Sequence, residues 1–267
     1  MSLLDLRLRQ LKRYARYIKG YFEFDRATNQ VVRRTDFTNC PRPVLLLYGF
    51  MSTRQSFEIL EHRLRRDQFC VWSINLGGWM DLFNTNAIDQ LADKVRQKVD
   101  RLYERFPQMG PLSIVGHSKG GLIGAYYVKR LGGHQRVKNL ITLGTPFNGS
   151  SSAYFGIAAY GAISRSIWQL TPVSPFIREL KAGAFPSAVK LTSIWSRADR
   201  VNGYPTCVLD DAEAYSNLRN IDVPDVVHRE LLTNRTVYQH VRRELFEGYG
   251  MPVPEEPRSK RLTRLTV

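Results

Sequence analysis

A serine flanked by glycines is the first feature of this sequence that could do chemistry. Residues 116–120 read Gly-His-Ser-Lys-Gly, the G-x-S-x-G pattern of a nucleophile elbow. The apolar run at 112–115 is typical of a short buried strand, and the apolar residues after Lys119 recur at helical spacing. Glycines two residues either side of Ser118 remove Cβ atoms that would collide with the strand and the helix. The pattern therefore predicts a strained serine at a helix N-terminus, with its hydroxyl projecting from a sheet.

Ser118 needs a general base from later in the chain. A serine hydroxyl is a weak nucleophile, and an imidazole that is oriented by a carboxylate activates it. After an elbow of this kind the order along the chain is Asp or Glu, then His. His228 follows the last predicted strand and precedes a helix, so it is the candidate base. The other histidines are less suitable. His62 precedes the serine and His117 lies in the elbow, whereas His134 lies in a turn after the elbow helix and His240 within a helical pattern.

The candidate acid is Asp199. It comes four residues after Trp195, where a predicted strand ends, so it lies in a strand-end loop on the same side of the sheet as Ser118. Four other aspartates in later loops remain rivals for this role. They are Asp210, Asp211, Asp222 and Asp225.

Two backbone N–H groups are predicted to form an oxyanion hole. Stabilising the charge of a tetrahedral intermediate is the largest catalytic contribution in acyl transfer. One donor is the N–H of Lys119, directly after the nucleophile, whose side chain need not participate. The other is the N–H of Phe50, which follows Gly49 in the loop after the predicted strand at 44–47.

Strands and helices alternate along the chain and must position these groups. The predicted strands are 44–47, 69–74, 112–115, 137–143, 189–195 and 217–221. Helices are predicted between them, the longest over 88–106, and a closing helix over 233–247. This alternation predicts an α/β fold with a parallel sheet covered on both faces. The segment 147–188, which is rich in small, aromatic and apolar residues, interrupts the alternation.

Five short segments of the chain form a recognisable series. They are LLLYGF at 45–50, GHSKGG at 116–121, TLGTPFNGS at 142–150, S-x-x-D at 196–199 and HREL at 228–231. Together they resemble the lipase and esterase branch of the α/β-hydrolase superfamily, over about residues 43–247.

The resemblance implies an α/β-hydrolase fold with a mostly parallel twisted sheet and helices on both faces. It implies that the segment 147–188 is an apolar cap, or lid, inserted after the sixth strand of the family's sheet. It also implies hydrolysis of carboxylic esters through an acyl-enzyme, with no metal and no cofactor. One departure is Tyr48-Gly49 where the family usually has His-Gly, so the hydrogen bonds that support the oxyanion loop must differ.

The predicted function is that of a lipase or esterase acting on esters of acyl chains, with an ester or a lipid as its substrate. Two alternatives stay open. An acyltransferase would use the same three residues with an alcohol in place of water. A membrane-associated binding protein would retain only a vestigial site.

The chain of 267 residues carries a net charge of +15, which favours an acidic partner. Residues 1–24 predict a basic amphipathic helix, and residues 1–20 could bind an anionic membrane surface or simply pack on the domain. The hydrolase domain is predicted over 25–250, followed by a basic tail at 251–267. No nucleic-acid recognition motif accompanies the charge, so no nucleic-acid partner is expected.

Three scattered cysteines do not form a disulfide framework, which favours a reducing compartment. No signal peptide or transmembrane segment is evident, although a chain that had lost a leader would look the same. A cytoplasmic or peripheral membrane protein is therefore expected.

Overall fold

The computed structural model of the chain describes residues 34–50, 52–77, 84–162, 164–210 and 212–255. The basic helix predicted at 1–24 lies outside these ranges, and so does the predicted tail beyond residue 255.

Six strands form one sheet in the described part of the chain, in the order β2-β1-β3-β4-β5-β6. All neighbouring strands in this order are parallel. The central strands are buried on both faces, as their continuous apolar runs predict. The α/β fold predicted from the sequence is confirmed. The strands are β1 (Pro43–Leu47), β2 (Cys70–Ser73), β3 (Leu112–His117), β4 (Val137–Leu143), β5 (Lys190–Trp195) and β6 (Leu218–Asp222).

Helices connect the strands and cover the sheet. The second helix buries Leu91, Val95 and Val99, which recur at helical spacing, against the core. The described α-helices are α1 (Glu58–Arg66), α2 (Ile88–Arg105), α3 (Lys119–Arg130), α4 (Ser152–Tyr160), α5 (Arg165–Gln169), α6 (Pro175–Lys181) and α7 (Arg235–Gly248). Short 3₁₀ helices occur at Arg54–Phe57, Gly133–Gln135 and Glu230–Leu232.

The strand order reverses between β1 and β3. The chain passes from β1 outward to β2 and then returns to β3 on the other side of β1. Such a reversal leaves a crevice at the carboxyl ends of the two strands, where α/β proteins bind ligands. Tyr48 follows β1 and Ser118 follows β3, so both lie at this crevice.

The cap predicted at 147–188 consists of α4, α5 and α6, which lie between β4 and β5. Among the strands of the described ranges it follows the fourth, whereas the resemblance placed it after the sixth strand of the family's sheet. The cap packs on the core through Ile167 and Phe176, while Phe155 and Trp168 are more than half exposed. None of the helices in the described ranges is both long and apolar enough to cross a membrane.

Candidate active site

Ser118 occupies a strained turn between β3 and α3. Its φ of 54° and ψ of −126° lie in a region that residues with a Cβ rarely adopt. Neighbouring backbone holds the turn, since the Ser118 N–H donates to the Leu143 carbonyl at 2.9 Å. The hydroxyl of Thr145 donates to the Ser118 carbonyl, also at 2.9 Å. The sheet therefore fixes the serine in the conformation that the sequence pattern predicts.

The glycines of the elbow allow this close packing. A Cβ on Gly116 would lie 2.5 Å from the Gly121 Cα, and a Cβ on Gly120 would lie 1.9 Å from the Leu47 carbonyl oxygen. Both distances are too short for any side chain, so the strand, the helix and the neighbouring strand β1 require glycine there.

His228 and Asp199 form a buried pair. The His228 Nδ1 lies 2.6 Å from Asp199 Oδ2. The other carboxylate oxygen, Oδ1, accepts hydrogen bonds from the N–H groups of Val201 at 2.8 Å and Asn202 at 2.9 Å. Burial acts to raise the pKa of Asp199, but the His228 ring and these N–H groups outweigh it and lower that pKa. The carboxylate is therefore charged at neutral pH, and the Nδ1–H of His228 donates to it.

Asn202 connects this pair to the serine. Its Nδ2 donates to Ser118 Oγ at 3.3 Å and to the Gly144 carbonyl at 2.8 Å. Gly144 in turn adjoins the pair, because a Cβ at this residue would lie 3.0 Å from His228 Nδ1 and 3.1 Å from Asp199 Oδ2. The structure thus brings the three candidate residues, from three separate strand-end loops, into one cluster.

The three rival aspartates that the structure describes lie away from the imidazole. Asp210 and Asp222 form ion pairs with partly exposed cations. Asp225 is exposed in the loop that leads to His228, and Asp211 lies outside the described residues. Asp199 is the candidate that contacts the imidazole.

His117 supports His228 from behind. Its ring lies 4.7 Å from the His228 ring, centroid to centroid, and its Nε2 lies 3.1 Å from the His228 carbonyl oxygen. Burial, and then the nearby His228, lower the pKa of His117 to about 3, so its ring is neutral and its Nε2–H donates to that carbonyl. This contact joins residues 111 positions apart, so no local pattern in the sequence indicates it.

The two elements that carry the predicted oxyanion donors both adjoin Ser118. Lys119 is the first residue of α3, so its N–H is at a helix N-terminus next to the serine. On the β1 side, a Cβ on Gly49 would lie 3.0 Å from the Ser118 Cβ, and Phe50 is the next residue. The backbone of the β1 loop therefore packs directly against the nucleophile.

Tyr48 supports this loop in place of the histidine that the resemblance implied. Its hydroxyl accepts a hydrogen bond from the Leu76 N–H at 2.7 Å and lies 3.3 Å from Asn75 Oδ1. Its carbonyl accepts from Asn84 Nδ2 at 2.9 Å. These hydrogen bonds tie the loop after β1 to the segment after β2.

Within the described residues, no group of three or more His, Cys, Asp or Glu side chains is arranged to hold a metal ion.

Comparison with known proteins gives one sequence family and a set of similar folds. The family model described as palmitoyl protein thioesterase matches residues 43–186, more than half of the 267 residues. No curated protein matches the chain in sequence.

The similar folds are those of lipases and esterases. The mature lipase BlEst2 of Bacillus licheniformis is 14% identical, with a TM-score of 0.63 over 81% of this chain and 96% of that one. Lipase B of Aspergillus fumigatus is 17% identical, with a TM-score of 0.57 over 77% of this chain and 53% of the lipase. Est1E from Butyrivibrio proteoclasticus is 14% identical, with a TM-score of 0.55 over 82% and 92% of the two chains. These similarities confirm the α/β-hydrolase fold and the resemblance inferred from the sequence.

Proposed function

Because the chain belongs to the palmitoyl protein thioesterase family, we propose that it hydrolyses esters and thioesters of acyl chains through an acyl-enzyme on Ser118. It is a hydrolase of the lipase, esterase and thioesterase type. The observation that carries the proposal is the buried His228–Asp199 pair, 2.6 Å apart and joined to Ser118 through Asn202 and Gly144.

The reaction begins with transfer of the Ser118 proton to His228. The serine oxygen then attacks the carbonyl carbon of the substrate, and the N–H groups of Phe50 and Lys119 bind the resulting oxyanion. The intermediate collapses, and His228 returns the proton to the departing alcohol or thiol. Water then gives a proton to His228 and attacks the acyl-enzyme, which releases the carboxylic acid and regenerates the serine.

Asp199 has two effects on the base. Its hydrogen bond holds the His228 proton on Nδ1, which leaves Nε2 as the proton acceptor. Its charge, which its lowered pKa maintains at neutral pH, stabilises the imidazolium that forms when Ser118 is deprotonated.

The acyl chain of the substrate would lie between the sheet and the cap. The cap's inner side is apolar, with Phe147, Ile167, Leu170 and Phe176 all buried. Helical packing alone would also bury these side chains. A series of p-nitrophenyl esters with acyl chains of increasing length distinguishes an acyl site from packing alone. A preference for long chains supports an acyl site under the cap, and no dependence on length contradicts it.

Substitution of Ser118 by alanine tests the proposal. We expect Ser118→Ala to lower kcat by about 10⁵- to 10⁶-fold on p-nitrophenyl esters and on acyl thioesters, because the nucleophile is lost. The far-UV circular dichroism and the unfolding midpoint should stay close to those of the unaltered protein. A fluorophosphonate should label the unaltered protein but not the variant.

Retained turnover or labelling of Ser118→Ala would refute the acyl-enzyme. Product analysis with an added acceptor alcohol separates hydrolysis from acyl transfer, since a transferase would yield the new ester in place of the acid.

A further inference from the structure

Lys119 carries a buried ammonium group that the proposed mechanism does not use. The whole residue has no exposed surface, and burial lowers the pKa of its ammonium well below the usual value. The Nζ donates hydrogen bonds to the carbonyls of Asn84 at 2.7 Å and Asn86 at 3.1 Å, and to the hydroxyl of Ser166 at 2.9 Å. All three acceptors are uncharged oxygens. A buried amine held in this way needs an explanation, because an aliphatic side chain would avoid the cost of desolvation.

The three acceptors belong to two other parts of the molecule. Asn84 and Asn86 lie in the segment between β2 and α2, and Ser166 lies on the cap helix α5. The Ser166 hydroxyl also contacts this segment, since it lies 3.2 Å from the Thr85 carbonyl oxygen. Lys119 therefore joins the elbow to the segment 84–86 and to the cap.

The same network reaches the second oxyanion donor. The side chain of Asn84, whose carbonyl accepts from Lys119, donates at 2.9 Å to the carbonyl of Tyr48. Two residues later, the ring of Phe50 lies 5.7 Å from the Lys119 Nζ. One side chain thus contacts, directly and through Asn84, the loop that contains the proposed donor residue Phe50.

We propose that the Lys119 side chain is a positioning residue that sets the distance between the two N–H groups of the oxyanion hole. An ammonium has three donors, which suit three acceptors on two segments, whereas methionine has no donor and the planar guanidinium of arginine has a different shape. An oxyanion hole requires donors at about 2.7–3.1 Å from the developing charge. A displacement of about 1 Å in an active site can cost about 100-fold in rate. The inference rests on the proposed hydrolytic function.

The main test replaces the ammonium by a side chain of similar length. We expect Lys119→Met to lower kcat for a short p-nitrophenyl ester by about 100-fold, because the loss affects the transition state. The KM should change by less than about threefold. The control is Lys129→Met, which removes the same charge from the same helix. Lys129 donates to the carbonyls of Lys181 and Gly183, so kcat should be unchanged.

Two further measurements separate positioning from a merely structural role. Propylammonium added to Lys119→Ala should restore part of the lost kcat, because it can refill the cavity and donate to the same oxygens. Asn84→Ala should also lower kcat. In the double variant with Lys119→Met, the fold-reduction in kcat should be much smaller than the product of the two single reductions, since both residues act through one network.

The inference is overturned if Lys119→Met keeps its kcat within about threefold, or if only its KM changes. If that variant does not fold, Asn84→Ala decides, and an unchanged kcat there is equally contrary. Activity that persists in Ser118→Ala refutes the proposed function itself. An inactive Ser118→Ala together with a fully active Lys119→Met refutes only the role of the lysine.

Discussion

His117 and Lys119 flank the nucleophile on opposite sides and are both buried, yet they hold the site together in different ways. His117 donates to the carbonyl of His228, the proposed base, and the ring of His228 is in turn paired with the charged Asp199. Lys119 is itself charged when protonated, and its Nζ donates to uncharged oxygens, one of them on Ser166 in the cap. The base side of the elbow therefore depends on a hydrogen bond between strand-end loops, from an imidazole to a charged carboxylate. The oxyanion side depends on hydrogen bonds that extend into an inserted segment.

This difference implies that the two sides respond to different disturbances. A movement of the cap helix α5 would reach the oxyanion side first, because Ser166 contacts both Lys119 and the segment 84–86. The base side should respond chiefly to loss of the Asp199 charge. Four further predictions test this contrast: two on kcat, with the larger expected effect first, and then two on the dependence of stability on pH.

The largest effect is expected from Asp199→Asn. This change removes the charge that stabilises the imidazolium and the acceptor that fixes the His228 tautomer, so kcat should fall by about 10⁴-fold. Steady-state kinetics on a p-nitrophenyl ester measures it. The matched control is Asp222→Asn, a strand-end aspartate that is paired with the exposed Arg197 and should leave kcat unchanged. The reverse result would mean that the wrong carboxylate has been assigned to the base.

A smaller effect is expected from Ser166→Ala. The change removes one acceptor of the Lys119 ammonium, so kcat should fall by about tenfold while the pH dependence of kcat stays the same. The control is Ser174→Ala, also in the cap, whose hydroxyl caps α6 by accepting from the Ile177 N–H. It should cost about 1 kcal/mol of stability and leave kcat unchanged. If the two variants lose activity equally, the cap supports the site only through its general stability.

The last two predictions concern the free energy of unfolding and its dependence on pH. The unfolded chain protonates His117 near its ordinary pKa of 6.5, whereas the folded chain does so only near 3. The stability of the unaltered protein relative to His117→Gln should therefore fall as pH drops from 6.5 toward 3, by at most about 1.4 kcal/mol per pH unit.

Lys119 should affect the pH dependence of stability in a separate, more alkaline pH range. Its folded pKa lies below the ordinary 10.5, so the unfolded chain binds the extra proton below that pH. The stability of the unaltered protein relative to Lys119→Met should consequently rise with pH up to about 10.5. Urea unfolding between pH 4 and 10 measures both differences. Curves that run parallel to those of the variants would contradict the burial of either group in solution.

The fold followed from the sequence because its signals are local. The predicted strand at 44–47 is a continuous apolar run, which a doubly covered sheet requires, and the observed strand extends it by one residue. The cap was visible as an interruption of the alternation. Its helices were not separately predicted, since short segments of uniformly small and apolar residues carry little periodicity.

The candidate site was predictable where chain order restricts the choice. Ser118 comes from a motif, and His228 is the histidine that follows the last strand. The sequence favoured Asp199 but did not exclude its rivals, because it predicts a loop position for every one of them. Only the 2.6 Å contact with His228 distinguishes it.

By itself, the sequence determined the elbow, the succession of strands along the chain and the presence of a cap. These features depend on backbone sterics and hydrophobic periodicity, which act between near neighbours. Tertiary structure alone decided that Asn202 reaches Ser118, that His117 supports His228, and that Lys119 reaches the cap. Each of these contacts joins residues at least 47 positions apart. Nothing in the type of an asparagine, a histidine or a lysine reveals which distant oxygen it will bind until the sheet has brought the two together.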